Sequence, residues 1–319
     1  MFFIILPDCL NWTKLDSGFP VRWRQPVEDA SRSASFIPSA GLARVRTMPE
    51  TDDRFASRLV ASAKRAGSWL CVGIDPEPAD YPAALSADDT LEFCLGVAGA
   101  VADVACAVKP NAAFFEALGA RGHDVLAELV QRMPPGLPVI LDGKRNDIGN
   151  TARKYAEAAF DELGVDAVTV TPYLGKDTVE PFAAYGDKGV FLLARTSNAS
   201  AADFQDLKVG TDPLYLAVAR KAMEWNQQWG NIGLVAGATY PDELAQLRKV
   251  CGNGVPLLIP GVGAQGADAA TARARGADAK GQFALVNVGR AILQAGSGDD
   301  WQAGVRSAAR RFAEQVPYR

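Results

Sequence analysis

The sequence predicts a single α/β domain, a (β/α)8 TIM barrel, preceded by an N-terminal extension that does not share its pattern. Three observations carry this expectation. Eight short apolar runs recur between residues 70 and 288. A segment of helical pattern, or a gap long enough for a helix, follows each run. Charged or glycine-rich residues gather directly after the runs, where such barrels collect functional groups.

In chain order the predicted strands are 70–74, 104–108, 139–141, 167–170, 190–193, 232–235, 257–259 and 284–288. Each is too short for a stable helix and is bounded by Gly, Pro or polar residues. The helical patterns between them cover about 90–102, 122–132, 151–163, 213–228, 241–250 and 267–274, and a last helix runs from Trp301 to about Gln315. A further helix is expected to end near Ala66, with Thr51 or Asp52 as its cap. A doubly wound open sheet is the rival architecture. It usually has a phosphate-binding glycine turn after its first strand, whereas here the first strand ends in Gly73-Ile74-Asp75-Pro76. No linker divides the chain after residue 48 and no internal repeat is visible. Residues 1–47 carry Trp12, Trp23, scattered Arg and a Ser-rich stretch without periodicity. They are expected to be disordered, with Met48 as the natural start and 48–319 as the barrel domain.

Composition excludes several classes. The chain has 319 residues, 48% of them apolar and 22% charged, which is globular. A net charge of -4 gives no basic footprint for nucleic acid, and no run reaches the length of a membrane helix. The five cysteines have no paired spacing, and three lie in apolar runs, which suits buried, reduced thiols in a cytoplasmic protein. The single histidine, His123, excludes a multi-histidine metal site and reads as a surface or helix-end residue.

The predicted strand ends converge on one chemistry. Strand one gives Asp75, strand two Lys109-Pro110-Asn111, and strand three Asp142-Gly143-Lys144 with Asp147 three residues on. Alternation along strand three places Asp142 and Lys144 on one side. Such charges at the mouth of an apolar strand are costly to desolvate unless they pair. Strand five gives Arg195-Thr196-Ser197-Asn198 and then a long polar loop. Strand seven gives Gly261, Gly263 and Gly266 with Gln265 between them, and strand eight gives Gly289-Arg290. The last two ends suit phosphate: the glycines let backbone N–H groups approach an anion, and Arg290 adds a charge-assisted grip. Because the glycine string follows strand seven, it does not read as a dinucleotide fingerprint.

Taken together, these residues resemble orotidine 5′-phosphate decarboxylase. The carriers are Asp142-x-Lys144-x-x-Asp147-Ile148 with Thr151, Lys109 within Val-Lys-Pro-Asn, Pro260 to Gly266, and Gly289-Arg290. Gly73–Pro76, Ala113–Glu116, Thr171–Gly175, Thr196–Asn198 and Gly237–Pro241 resemble the longer bacterial subgroup of that family. The resemblance covers about Phe55 to the C-terminus.

It implies a decarboxylation of orotidine 5′-phosphate to UMP and CO2 without cofactor or metal, the last step of UMP synthesis. It further implies that Lys109, Asp142, Lys144 and Asp147 form an alternating charged array with Lys144 as proton donor. Asp147, Ile148 and Thr151 would serve the site of a partner subunit in a homodimer. Asp75 and Lys109 would hold the ribose, and Thr196 or Ser197 the pyrimidine. Gln265 and Arg290 would hold the phosphate, with residues 261–270 as a lid. A metal-dependent sugar-phosphate synthase of the hexulose-phosphate kind shares the Asp-x-Lys-x-x-Asp motif and is one alternative. A non-catalytic nucleotide-binding barrel is another, although pure binding gives no reason to bury two lysines with two aspartates.

Overall fold

In the computed structural model the described residues are 54–319, without Ala84 and Ala264. The expectations for residues 1–47, for Met48 and for a cap at Thr51 or Asp52 lie outside them. The first described helix, Phe55–Ala66, begins at Arg54, which supplies no side-chain cap, and ends on Gly67 in the left-handed conformation.

Eight strands make the barrel: β1 (Leu70–Ile74), β2 (Ala107–Pro110), β3 (Ile140–Arg145), β4 (Ala167–Val170), β5 (Gly189–Arg195), β6 (Ile232–Ala236), β7 (Leu257–Ile259) and β8 (Ala284–Val288). Their order is β2-β1-β8-β7-β6-β5-β4-β3. Every pairing in this sheet is parallel, as crossover helices require. The two ends of the sheet, β2 and β3, meet through the bridges Val108–Val139 and Asn111–Asp142, which bring the barrel close to closure.

Period-two alternation divides the strand side chains. Leu70, Val72 and Ile74, like Val168 and Val170 or Val286 and Val288, face the surrounding helices. Cys71, Ala107, Ile140, Ala167, Phe191, Val235, Leu258 and Leu285 form a separate buried cluster inside the barrel. Helix 55–66 belongs to that inner cluster through Phe55, Leu59 and Ala63. Phe55 packs edge-on against Phe191 at a centroid distance of 5.9 Å. A β-carbon at Gly189 would lie 2.4 Å from the Phe55 ring, so β5 must begin with glycine for this helix to seat.

The predicted strands are present, with shifted edges. β2 begins three residues later than expected because Val104 and Ala105 still close the preceding helix, their N–H groups bonding to Val101. At its other end the strand runs on through Lys109 and Pro110, which pair with Gly73 and Ile74 of β1. β3 likewise runs on through Asp142, Gly143 and Lys144. The helix at Lys176–Ala183, which contains Pro181, occupies one of the gaps. Helix 149–157 passes into a π turn over residues 158–162, where the Leu163 N–H reaches Ala158 O. The loop after β5 is not wholly irregular: it holds a 3-10 turn at 199–203 and a short ladder pairing 208–209 with 212–213. Cys71, Cys94, Cys106 and Cys251 are buried free thiols, and His123 is exposed in the first turn of helix Ala120–Gln131. No helix among the described residues is long and apolar enough to cross a membrane.

Candidate active site

One step above the inner core layer, the same alternation turns a second ring of side chains into a cavity of about 520 Å³ at the C-terminal mouth. Asn287, Asp75, Lys109, Asp142 and Thr169, from β8 round to β4, make a polar arc. Opposite it the lining is apolar: Leu193 from β5, with Val235 and Leu258 of the inner layer itself, from β6 and β7. A cavity so divided suits a ligand with a charged edge and a flat apolar body.

The centre of the polar arc is the Asp142 carboxylate. Its Oδ2 accepts from Lys109 Nζ at 2.7 Å and its Oδ1 from Lys144 Nζ at 2.7 Å. The Lys109 side chain is only 4% exposed and that of Asp142 13%, whereas Lys144 is 51% exposed and reaches the cavity from above. Burial by itself would raise the Asp142 pKa, but the two ammonium groups outweigh it and hold the carboxyl well below its usual range. Burial likewise works against a charged Lys109. Asp142 and Asp75 overcome this and leave the Lys109 pKa above its ordinary value. For Asp75 burial wins: its pKa is raised despite Lys109, and its Oδ1 is buried without a hydrogen-bond partner. Asn287 Oδ1 is in the same condition. Buried acceptors lining a cavity call for donors from whatever fills it.

Lys144 does not reach Asp142 through regular strand alternation. The β3–β4 ladder slips between Leu141 and Arg145, and Lys144 has φ +43°, in the left-handed region that non-glycine residues avoid. Only Lys144 and Phe283 do this among the described non-glycine residues.

The expected phosphate end is built by the loops after β7 and β8. Gly261, Gly263 and Gly266 all have positive φ, at 108°, 80° and 84°. At Gly261 a β-carbon would come within 3.1 Å of both Gln265 Oε1 and Ser197 Cβ. The glycines serve this loop differently from expectation. The N–H groups of Gly263 and Gly266 bond within it, to Ala267 O and Gly263 O, and so are not turned out as an anion cradle. Gln265 and Arg290 line the cavity as the polar groups of this end, and the Arg290 charge is felt by Asp75.

The loop after β5 is fastened by Gln205. Its Oε1 accepts from the Thr196 N–H at 2.8 Å and its Nε2 donates to Thr196 Oγ1 at 2.8 Å; that hydroxyl donates in turn to Asn198 Oδ1 at 2.7 Å. Thr196 is thus occupied within its own loop. Ser197 lies between Gly237 and Gly261, where added β-carbons would approach it at 2.9 and 3.1 Å. Arg195, one of the charged strand ends, does not line the cavity. A slip between Leu193 and Arg195 turns it behind the loop, where it is 1% exposed, stacks on Tyr240 at 3.9 Å and pairs with Asp206.

The cavity therefore gathers Asp75, Lys109, Asp142, Lys144, Thr196, Ser197, Gly261, Gln265, Gly289 and Arg290. Gly263, Asp147, Ile148 and Thr151 do not line it. Asp147 is half-buried and its Oδ1 accepts from the N–H of Ile148, while Ile148 and Thr151 are exposed. Attention to strand ends missed Thr169, Leu193, Val235, Leu258 and Asn287, which lie within strands. Counting two residues on from Ala167, Phe191 and Leu285 would have found three of them.

Comparison with known proteins agrees with this geometry. Residues 68–303 match the model of the orotidine 5′-phosphate decarboxylase / HUMPS family. An orotidine 5′-phosphate decarboxylase of Azoarcus sp. is 48% identical over 268 residues, 82% of this chain and 98% of the relative. One from Roseiflexus sp. is 45% identical over 266 residues, 82% and 97% of the two chains. The solved OMP decarboxylase of Leishmania donovani superposes with a TM-score of 0.72 at 40% identity, over 82% of this chain and 97% of its own. A barrel whose mouth holds Asp75, Lys109, Asp142, Lys144 and Arg290, matched over nearly the whole length of such relatives, belongs to the orotidine 5′-phosphate decarboxylase family.

Proposed function

We propose that Lys109, Asp142 and Lys144 carry out the family's reaction here, the decarboxylation of orotidine 5′-phosphate to UMP and CO2. The observation that carries this assignment is a single carboxylate gripped by two ammonium groups, each at 2.7 Å, at the floor of the mouth cavity. Loss of CO2 from C6 leaves an electron pair on a carbon with no carbonyl placed to delocalise it. The charge must be met by a cation already in position, and Lys144, the more exposed of the two lysines, meets it and then gives its proton to C6. Asp142 cannot take up a proton readily, because the lysines keep it ionised. It therefore repels the substrate carboxylate, and departure of CO2 relieves that repulsion. Two like charges about 4 Å apart repel by roughly 4 kcal/mol at an effective dielectric of about 20. Barrier reductions by enzymes run to about 8–23 kcal/mol, so stabilisation of the carbanion must supply the larger share.

Asp75 Oδ1, buried and unpartnered, accepts from a ribose hydroxyl, with Lys109 beside it. Ser197 addresses the pyrimidine, since the Thr196 hydroxyl is taken by Gln205 and Asn198. Gln265 and Arg290 take the phosphate, and residues 261–270 close over it. Asp147, Ile148 and Thr151 complete the site of a partner subunit in a homodimer. Two things support this: none of the three lines its own cavity, and Ile148 (62% exposed), Tyr173 (84%) and Leu174 (47%) leave large apolar side chains in solvent after β3 and β4. Scattered free thiols suit a cytoplasmic enzyme.

The test is the absorbance loss of orotidine 5′-phosphate on adding purified protein, with and without EDTA. Loss unaffected by EDTA supports the assignment. No loss from a folded dimer, with activity on sugar phosphates restored by Mg²⁺, moves the protein to the metal-dependent branch.

A further inference from the structure

We propose that Thr169 is a positioning residue for the catalytic pair, its one hydroxyl fixing both the backbone of Lys144 and the carboxylate of Asp142. Thr169 lies inside β4, 1% exposed, in the ring that floors the cavity. Its Oγ1 accepts from the Lys144 backbone N–H at 2.9 Å and donates to Asp142 Oδ1 at 3.0 Å.

The first bond replaces a ladder bond. Residues 142–144 leave the β3–β4 register, so the Lys144 N–H has no β4 carbonyl opposite it. A buried N–H left unpaired is unfavourable, and the side chain of Thr169 takes it up. That bond holds Lys144 at φ +43°, a conformation that persists only where its surroundings enforce it.

The second bond fixes rotation of the carboxylate. Asp142 must offer Oδ2 to Lys109 and Oδ1 to Lys144 together, and the Thr169 hydroxyl binds the same Oδ1 that Lys144 uses. Donor and acceptor roles are both filled, so the hydroxyl hydrogen has one direction to point. Valine at 169 preserves the branched shape and the strand preference but loses both bonds. Serine keeps the hydroxyl and loses only a methyl group.

The inference rests on the reading of Asp142 and Lys144 as the reacting pair, so Lys144→Ala is measured beside the position-169 variants. With orotidine 5′-phosphate as substrate, Thr169→Val is expected to lower kcat by about 10- to 100-fold, the scale of a small displacement of a catalytic group. Its KM and its affinity for UMP should stay within about threefold of wild type, because Lys109, Ser197 and Arg290 are untouched. Thr169→Ser should recover kcat to within about threefold. If the valine protein does not fold, Thr169→Ala takes its place in the same comparison. A kcat within about twofold of wild type without the hydroxyl, a loss confined to KM, or a serine variant no better than valine overturns the proposal. An active Lys144→Ala protein instead removes the reading on which it rests.

Discussion

Lys109 and Asp142 face each other across the junction where the barrel closes, Nζ to Oδ2 at 2.7 Å, on the two strands that end the sheet. The pair does two things at once. It neutralises charge inside a barrel whose next layer down is Cys71, Ala107 and Ile140, and it presents Asp142 to the cavity with one oxygen already committed. A lysine at 4% exposure is tolerated only with such a partner.

Removing Lys109 is therefore expected to harm stability as well as catalysis. Lys109→Ala should cost about 3 kcal/mol, because a buried carboxylate loses one of its two ammonium partners. The cost should depend on pH. The raised pKa of folded Lys109 makes its contribution complete below the ordinary lysine value of 10.5 and lost as pH rises through the folded value. The lowered pKa of folded Asp142 makes its contribution complete above the ordinary value of 3.8 and lost as pH falls through the folded one. Urea unfolding across pH should show the wild-type advantage over Lys109→Ala as a plateau between those limits, fading at the alkaline end. A difference that does not change at high pH would contradict the pairing.

Asp75 works in the opposite sense. Burial raises its carboxyl pKa, so between the ordinary value and the folded one the folded protein keeps a proton that the unfolded chain has released, and above that window the ionised Asp75 opposes folding. Asp75→Asn should thus raise the thermal midpoint of the ligand-free protein at pH 7, with the advantage shrinking as pH falls towards 3.8. The same change should lower kcat/KM for orotidine 5′-phosphate by about 10-fold, because the amide oxygen still accepts but without the charge that strengthens the bond. Scanning calorimetry and steady-state assays on one preparation check both halves. A lower midpoint at pH 7 would refute the burial argument.

The same contrast explains what was legible in the sequence. Strand runs and charged ends were visible because period-two burial and abrupt changes of polarity are local signals. The barrel, Asp75, Lys109, Asp142, Lys144 and Arg290 followed from them. Thr169 and Asn287 were hidden because each is a small polar residue inside an apolar run, where composition reads only as strand. The positive φ of Lys144 and the turning aside of Arg195 come from ladder slips that depend on the neighbouring strand, so no window along the chain contains them. The glycines after β7 were visible as a string, but their use was not: their freedom shapes the turn, and Gly263 and Gly266 bond through their own N–H groups inside it.

The proposed site shared between two subunits makes a further prediction. Lys144→Ala and Asp147→Ala subunits should each be nearly inactive alone. A mixed dimer places both lesions in one site and leaves the other site intact. Subunits unfolded together at equal amounts and refolded should recover about one quarter of wild-type activity, because half the dimers are mixed and each has one good site. Purified heterodimers with no activity would show that Asp147 acts within its own chain.

Arg290 begins the four-residue helix after β8 and lines the cavity beside Gly289 and Gln265. If Arg290 is the proposed phosphate grip, it acts only on ligands that carry phosphate. Arg290→Ala should raise KM for orotidine 5′-phosphate by about 100-fold, the scale of one or two charge-assisted hydrogen bonds. With orotidine, which lacks the phosphate, kcat/KM should be the same in variant and wild type, because the lost side chain has nothing to hold. Adding free phosphite to that assay separates binding from closure. If Arg290 also draws the 261–270 loop shut, phosphite should accelerate wild-type turnover of orotidine and leave Arg290→Ala unmoved, since binding energy from a remote group then serves the reacting carbon. Equal losses with both substrates would take Arg290 out of the phosphate site and make it a general structural support of the mouth.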